Sequence, residues 1–412
     1  MVPILAFVGM GPPEPLRLPL VMLLVFGAAK LLAEVFEKLN QPGIVGEIVA
    51  GVLIGPSVLH WLTPTPLIDS LAELGVMFLL FRVGLEVKSS ELIKVGGTSF
   101  LVAASGVAVP FFLGWGLLHA WGAGTLESIF VGASMVATSV GITAQVLASK
   151  GLLQQRASTI ILAAAVIDDV LGLLVLAVVS SLAKGRINFL DISLTVLLAS
   201  AFVVLIAYWG THAMRAVIPR AAERMQLAES EFALAICLLF ALGLLAMYAG
   251  VAAIVGAFLA GMALGESVGN RVHTLVHGAT ELLVPFFLVG LGLRINLSVL
   301  SSWPVLVLAL VVLAAAMVSK LVGCGLGALA LGRQEALKIG VGMIPRGEVG
   351  MVVAQLGLTI GVLSQTVYGV IVFMAVATTV MSPPLIKLAF QDRPIREQWA
   401  ATPSKIDAYL ND

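Results

Sequence analysis

Charge is what this chain has least of. Asp, Glu, Lys and Arg make up 11% of its 412 residues, against about 25% in a soluble domain. Apolar residues make up 60%. A chain so composed cannot cover itself with polar groups, which excludes a water-soluble globule and puts most of its surface in lipid. Net charge is zero, so nothing draws it generally to nucleic acid. There are only two cysteines, Cys237 and Cys324, both in apolar runs. They read as small core residues and not as a disulfide. The histidines (His60, His119, His212, His273 and His277) fall at span ends or loops, without metal-ligand spacing. No basic stretch precedes the first apolar run, so a cleaved signal peptide is not expected.

What the chain has instead is a succession of apolar runs. Thirteen candidate spans lie near 17–37, 42–58, 67–86, 97–120, 125–149, 157–182, 189–212, 229–248, 251–265, 276–293, 299–331, 334–361 and 364–389. They read as helices, because lipid cannot satisfy open backbone, and they lack the polar–apolar alternation of barrel strands. Lys and Arg then set direction. With the N-terminus outside, sixteen of 23 fall on inner loops or helix ends. Four fall outside (Arg17, Lys184, Arg186, Arg294), and three lie within spans (Lys30, Lys320, Arg346). The expected topology is N-terminus outside and C-terminus inside.

The chain also repeats itself. "IVGEIVAGVLIGPSV" (44–58) matches "IVGAFLAGMALGESV" (254–268) at eight of fifteen positions. "FLLFRVGLEV" (78–87) and "FFLVGLGLRI" (286–295) share Phe, Leu, Gly and Leu at equivalent places. The offset, about 210 residues, spans seven helices. Seven is odd, so the copies should run oppositely through the membrane, an inverted-topology repeat as in secondary transporters.

The repeat makes a demand on the fifth and twelfth spans. The fifth holds "VATSVGITAQ" (136–145), with Thr138, Ser139, Gly141 and Thr143; the twelfth holds "GMIPRGEVGM" (342–351). Both are polar and Gly-bearing, and Pro345 cannot continue a helix. Interruptions at matching places in two halves point to a transporter's binding site. Ionisable residues gather at the same depth. Asp168 and Asp169 lie mid-span in "VIDDVLGLL" (166–174), Lys320 lies within the eleventh span, and Arg346 and Glu348 lie at the second break. Each charge there costs about 2.5–3.5 kcal/mol on insertion scales, so such groups face protein or water and pair. Adjacent helical residues diverge by about 100°. One Asp is therefore expected on Lys320, and the other on an aqueous cavity, cycling between a proton and a hard cation. Lys30 and Glu34 read as a snorkelling i,i+4 pair, and Glu47 and Glu73 as structural. Gln145 and Gln355 flank the breaks without an assigned role.

"ATSVGIT", "AAAVIDDVLGLLVLAV", "IVGAFLAGM", "PRGEVG" and "LNQPGIVGEIVAGVLIGPSVL" resemble NapA-type bacterial sodium/proton antiporters of the monovalent cation:proton antiporter-2 group. The resemblance covers about residues 18–390. It implies an all-α polytopic protein of thirteen transmembrane helices with two crossed discontinuous helices, a homodimer, an elevator mechanism and a bacterial inner membrane. Residues 1–96 would give dimerisation helices 1–3. Residues 97–185 would give core helices 4–6 with the ion site, 186–298 helices 7–10 with linker and dimerisation domain, and 299–390 core helices 11–13. A cytoplasmic tail, 391–412, would follow. Asp169 resembles the ion- and proton-binding carboxylate, and Asp168 its neighbour, paired with the lysine at Lys320. Thr138 and Ser139 match the unwound segment, so Na⁺ is expected at Asp169, Thr138 and Ser139. Glu348 matches a core glutamate, and Arg346 and Thr143 support the crossover. The adjacent aspartates resemble the electrogenic branch. No cofactor is implied beyond transported Na⁺ (or Li⁺) and H⁺.

K⁺/H⁺ exchange is the nearest alternative, since carboxylate and hydroxyl oxygens alone do not separate Na⁺ from K⁺. An aspartyl protease is disfavoured, because neighbouring carboxylates on one helix diverge and do not converge on one water. An inverted repeat with a deep lysine favours a carrier over a channel, and two aspartates would repel an anion.

Overall fold

A computed structural model describes residues 14–183, 189–225 and 229–391. The tail segment 392–412 and two of the expected outer cations, Lys184 and Arg186, lie outside the described residues. Besides a single short turn of helix at Ser89–Lys94, the helices are α1 (Glu14–Lys38), α2 (Gly43–Ile54), α3 (Pro66–Glu86), α4 (Gly96–Ala120), α5 (Thr125–Ser134), α6 (Val140–Ser149), α7 (Arg156–Ala183) and α8 (Phe189–Leu205). There follow α9 (Thr211–Arg224), α10 (Ser230–Tyr248), α11 (Ala253–Leu264), α12 (Asn270–Leu293), α13 (Trp303–Gly327), α14 (Arg333–Gly342), α15 (Glu348–Thr359) and α16 (Gln365–Ala389). Among the described residues eight helical stretches are long and apolar enough to cross a membrane, and four shorter apolar helices accompany them. This is an all-helical membrane protein.

Local chemistry sets the helix ends. Thr65 caps α3 by accepting the Ile68 N–H, with Pro66 in the first turn, where its missing N–H costs nothing. Ser364 caps α16 by accepting the Val367 N–H. The second expected span stops early, at Ile54, where Gly55 and Pro56 end it. The seventh runs past its predicted end: α8 passes through a π turn, Ile206–Gly210, into α9. Phe189 to Arg224 thus makes one rod of roughly 54 Å at 1.5 Å per residue. Its Arg-bearing end carries too little apolar surface to show in a hydropathy reading.

Two sequence expectations are corrected. Lys30 does not pair with Glu34. Glu34 pairs with Lys38 at 3.1 Å, and Lys30 reaches across to Glu47 of α2 at 3.0 Å and to Glu281 of α12 at 3.8 Å. Glu47 is buried, and an unpaired buried carboxylate costs far more than an exposed helix pair returns. Cys324 is buried in the core as expected, but Cys237 lies exposed on the outer face of α10; both are free thiols.

The packing repeats as the sequence does. A Cβ on Gly51 (α2) would meet the Val289 carbonyl of α12, and one on Gly292 would meet the Ile48 carbonyl. The same pair of contacts recurs about 210 residues on, between α11 and α3. A Cβ on Gly261 would meet the Phe81 carbonyl, and one on Gly84 the Phe258 carbonyl. Each crossing thus joins one copy's first helix to the other copy's second. Helices α1–α3 and α10–α12 pack together through these crossings, and α4–α7 pack with α13–α16.

Candidate ion site

Helix α7 brings carboxylates to the middle of the protein. Asp168 and Asp169 sit about 20 Å from either end of this 28-residue helix, 0% and 6% exposed. Gly172, one turn on, faces Ala137 in the first helix break. The fifth span unwinds at 135–139 between α5 and α6, and the twelfth at 343–347 between α14 and α15. The breaks meet: the Ser139 N–H donates to the Pro345 carbonyl at 2.8 Å. Gly347 permits it, since a Cβ there would come within 2.6 Å of Ser139 Cβ and Oγ. Thr143 Oγ1 donates to the Gly342 carbonyl at 2.6 Å, tying α6 to the end of α14.

Both oxygens of Asp168 are held. Lys320 Nζ lies 3.0 Å from its Oδ1 and 3.2 Å from its Oδ2, and the Thr138 N–H donates to Oδ2 at 3.0 Å. Gly106 on α4 leaves room for α13 to bring the lysine in, since a Cβ there would sit 3.4 Å from Nζ and overlap Cys324 Sγ. Arg346, also fully buried, donates to the carbonyls of Val136 at 3.0 Å, Ala137 at 3.5 Å and Ala316 at 3.0 Å. Unwinding leaves carbonyls without helical donors, and a planar guanidinium with several N–H groups suits them. Two acids and two bases therefore sit buried together. Beside them Thr138 Oγ1 and Ser139 Oγ are buried oxygens with no hydrogen-bond partner among the described residues. Such atoms are rare in folded proteins and call for an explanation.

The expected site residues Asp168, Asp169, Lys320, Thr138, Ser139, Arg346 and Thr143 thus fall at or beside the two breaks. Glu348 opens α15, and its side chain lies outside the described residues. Two residues went unnoticed in the sequence. Thr378 Oγ1 accepts the Arg346 N–H at 3.1 Å, and Thr379 Oγ1 donates to the Arg346 carbonyl at 2.8 Å. The signal was there: "AVIDDV" (165–170) and "AVATTV" (375–380) align at the repeat offset. A cavity of about 320 Å³ opens where α3 and α12 face α15, lined by Asp69, Glu73, Val76, Phe287, Arg294 and Met351. Asp69 and Arg294 pair there at 2.8 Å.

Matched helix breaks around buried charge define a class, the membrane ion carriers. The chain belongs to the sodium/hydrogen exchanger family, whose transmembrane region matches residues 21–390. It is 35% identical to the high-affinity Na⁺/H⁺ antiporter NhaS3 of Synechocystis, over 90% of this chain and 89% of that protein. It is 33% identical to the Na⁺/H⁺-K⁺ antiporter GerN of Bacillus cereus, over 89% and 95% respectively. Its fold matches the sodium proton antiporter MjNhaP1 of Methanocaldococcus jannaschii with a TM-score of 0.71 at 18% identity, covering 93% of this chain and all of that one. The family is one of transporters, not enzymes.

Proposed function

We propose that this protein is a NapA-type antiporter that exchanges Na⁺ or Li⁺ for H⁺ at Asp169, Thr138 and Ser139. The observation that carries the reading is the pair of orphaned hydroxyl oxygens beside the buried aspartates. Hard cations take oxygen ligands. Asp168 is held by Lys320 and the Thr138 amide, and Asp169, which matches the ion-binding carboxylate of the antiporter motif, is the carboxylate that trades a proton for a cation. Asp169 releases its proton on one side and takes Na⁺; on the other side protons displace the ion. Release from the Asp168–Lys320 pair adds a second proton, so each cycle moves net charge.

The wider reading follows the same lines. The eight long helices, with α2, α3, α11 and the two broken pairs, make thirteen spans. The N-terminus lies outside and the C-terminus inside a bacterial inner membrane, and two copies associate in the lipid bilayer. Helices α4–α7 and α13–α16 form a core that rises and falls against a dimerisation domain of the others. The cavity between α3, α12 and α15 gives ions and water an approach between them.

Purified protein in proteoliposomes should acidify or alkalinise the lumen in response to a Na⁺ gradient, at a rate that responds to membrane potential. Exchange indifferent to potential sinks the electrogenic version. Asp169→Asn should abolish exchange, and a variant that still exchanges refutes the assigned role. K⁺/H⁺ exchange is the second reading, favoured by the likeness to GerN, a Na⁺/H⁺-K⁺ antiporter. Rates with Na⁺, Li⁺ and K⁺ in one preparation decide between them.

A further inference from the structure

The second half of the chain answers the aspartate pair with a threonine pair. Thr378 and Thr379 stand, at the repeat offset, where Asp168 and Asp169 stand in the first half. The hydrogen bonds follow the alignment. The Thr138 N–H of the first break donates to Asp168 Oδ2 at 3.0 Å. The Arg346 N–H, at the equivalent place in the second break, donates to Thr378 Oγ1 at 3.1 Å. Thr378 passes its own proton to the Ala375 carbonyl at 2.8 Å. Thr379 carries a single proton, and the Arg346 carbonyl at 2.8 Å competes for it with the Ala375 carbonyl at 3.0 Å. Both threonines are fully buried. The N–H and the C=O of Arg346 are therefore both held by side chains of α16.

The chemistry of the two halves differs. A carboxylate that gains a proton or a cation loosens its grip on a backbone amide. A threonine hydroxyl does not titrate, so its grip stays constant through a transport cycle. The second break is thus the anchored one, and what it anchors is Arg346. The Arg346 guanidinium holds the Val136 and Ala137 carbonyls, the residues immediately before Thr138 and Ser139.

Resting on the antiporter reading above, we propose that Thr378 and Thr379 are positioning residues: they fix Arg346, and through it the first break, so that they set the cation affinity of a site they do not touch. The test is Thr379→Val in proteoliposomes, which removes the donor while nearly keeping the shape. Loss of one hydrogen bond of ordinary strength should raise the apparent KM for Na⁺ by about five- to ten-fold, with kcat within about two-fold. Thr379→Ser should restore KM, and Thr378→Val should move it in the same direction as Thr379→Val. An unchanged KM in Thr379→Val overturns the proposal. So does a raised KM that serine fails to restore, since that is a packing effect. Should the valine variant not fold, Thr379→Ala set against Thr379→Ser gives the same comparison. Asp169→Asn in the same preparation separates the two claims. Exchange retained there defeats the antiporter site itself, whereas an inactive Asp169→Asn with wild-type KM in the threonine variants defeats only the positioning role.

Discussion

At the scale of single residues, the deepest commitment is the Asp168–Lys320 pair, with both side chains at 0% exposure. Taking two charges out of water costs several kcal/mol per ion, and mutual attraction repays that only with good geometry and further hydrogen bonds. Here the Thr138 amide supplies one. Removing one partner leaves the other buried and uncompensated. Lys320→Ala should therefore destabilise the protein by about 3–5 kcal/mol, read as a marked fall in the thermal unfolding midpoint in detergent. Neutralising both partners, Asp168→Asn with Lys320→Met, should recover most of that loss. A double variant as unstable as Lys320→Ala would count against the pair as the source of the effect.

At the scale of elements, glycine decides which helices can touch. Gly51 and Gly261 occupy equivalent places in the two copies, and a Cβ on either would run into a carbonyl of the partner helix. Backbone cannot yield cheaply as a flexible side chain can. Gly51→Ala and Gly261→Ala should each cost about 1–3 kcal/mol, and by similar amounts, because the α2–α12 and α11–α3 crossings are built alike. Thermal unfolding of the two variants side by side checks this; a large difference between them would show that the crossings are not equivalent in energy. Gly116, which meets nothing within 4 Å, is the control position. The same logic explains why the breaks lie so close, since Gly347 leaves Ser139 room to reach the Pro345 carbonyl.

At the scale of the whole molecule, the proposed mechanism needs the core to slide past the other helices. One contact across that boundary is close enough to lock. A Cβ on Gly141 of α6 would lie 2.9 Å from Val76 Cγ2 of α3, which suits a disulfide between substituted cysteines. In a Cys237→Ser background, Val76→Cys with Gly141→Cys should halt exchange on oxidation and resume it on reduction. Full exchange with the crosslink formed would mean that α6 and α3 do not move apart during transport. Membrane potential acts at this scale as well. Each net charge carried is worth about 2.3 kcal/mol per 100 mV, so a cycle exchanging two protons for one Na⁺ should accelerate or slow visibly as the potential is set with valinomycin.

Much of this molecule was legible in the chain itself. Apolar length determines that a segment leaves water, so the helical membrane class followed from composition and run length. Asp168, Asp169 and Lys320 stood out because charge at such depth is costly and cannot be incidental. The two breaks followed from Gly, Pro and hydroxyl residues at matched places in a repeat. What the chain could not decide was partnership. Lys30 sits one turn from Glu34, yet its partner is Glu47, because burial of Glu47 is a property of how α1 and α2 pack. Thr378 and Thr379 look like ordinary helical threonines until α16 is laid against the second break and both groups of the Arg346 peptide turn toward them. Local spacing reports which residues share a face. Which face meets which, and hence where a buried charge or an unpaired carbonyl finds its partner, is settled only when the helices close on one another and exclude water.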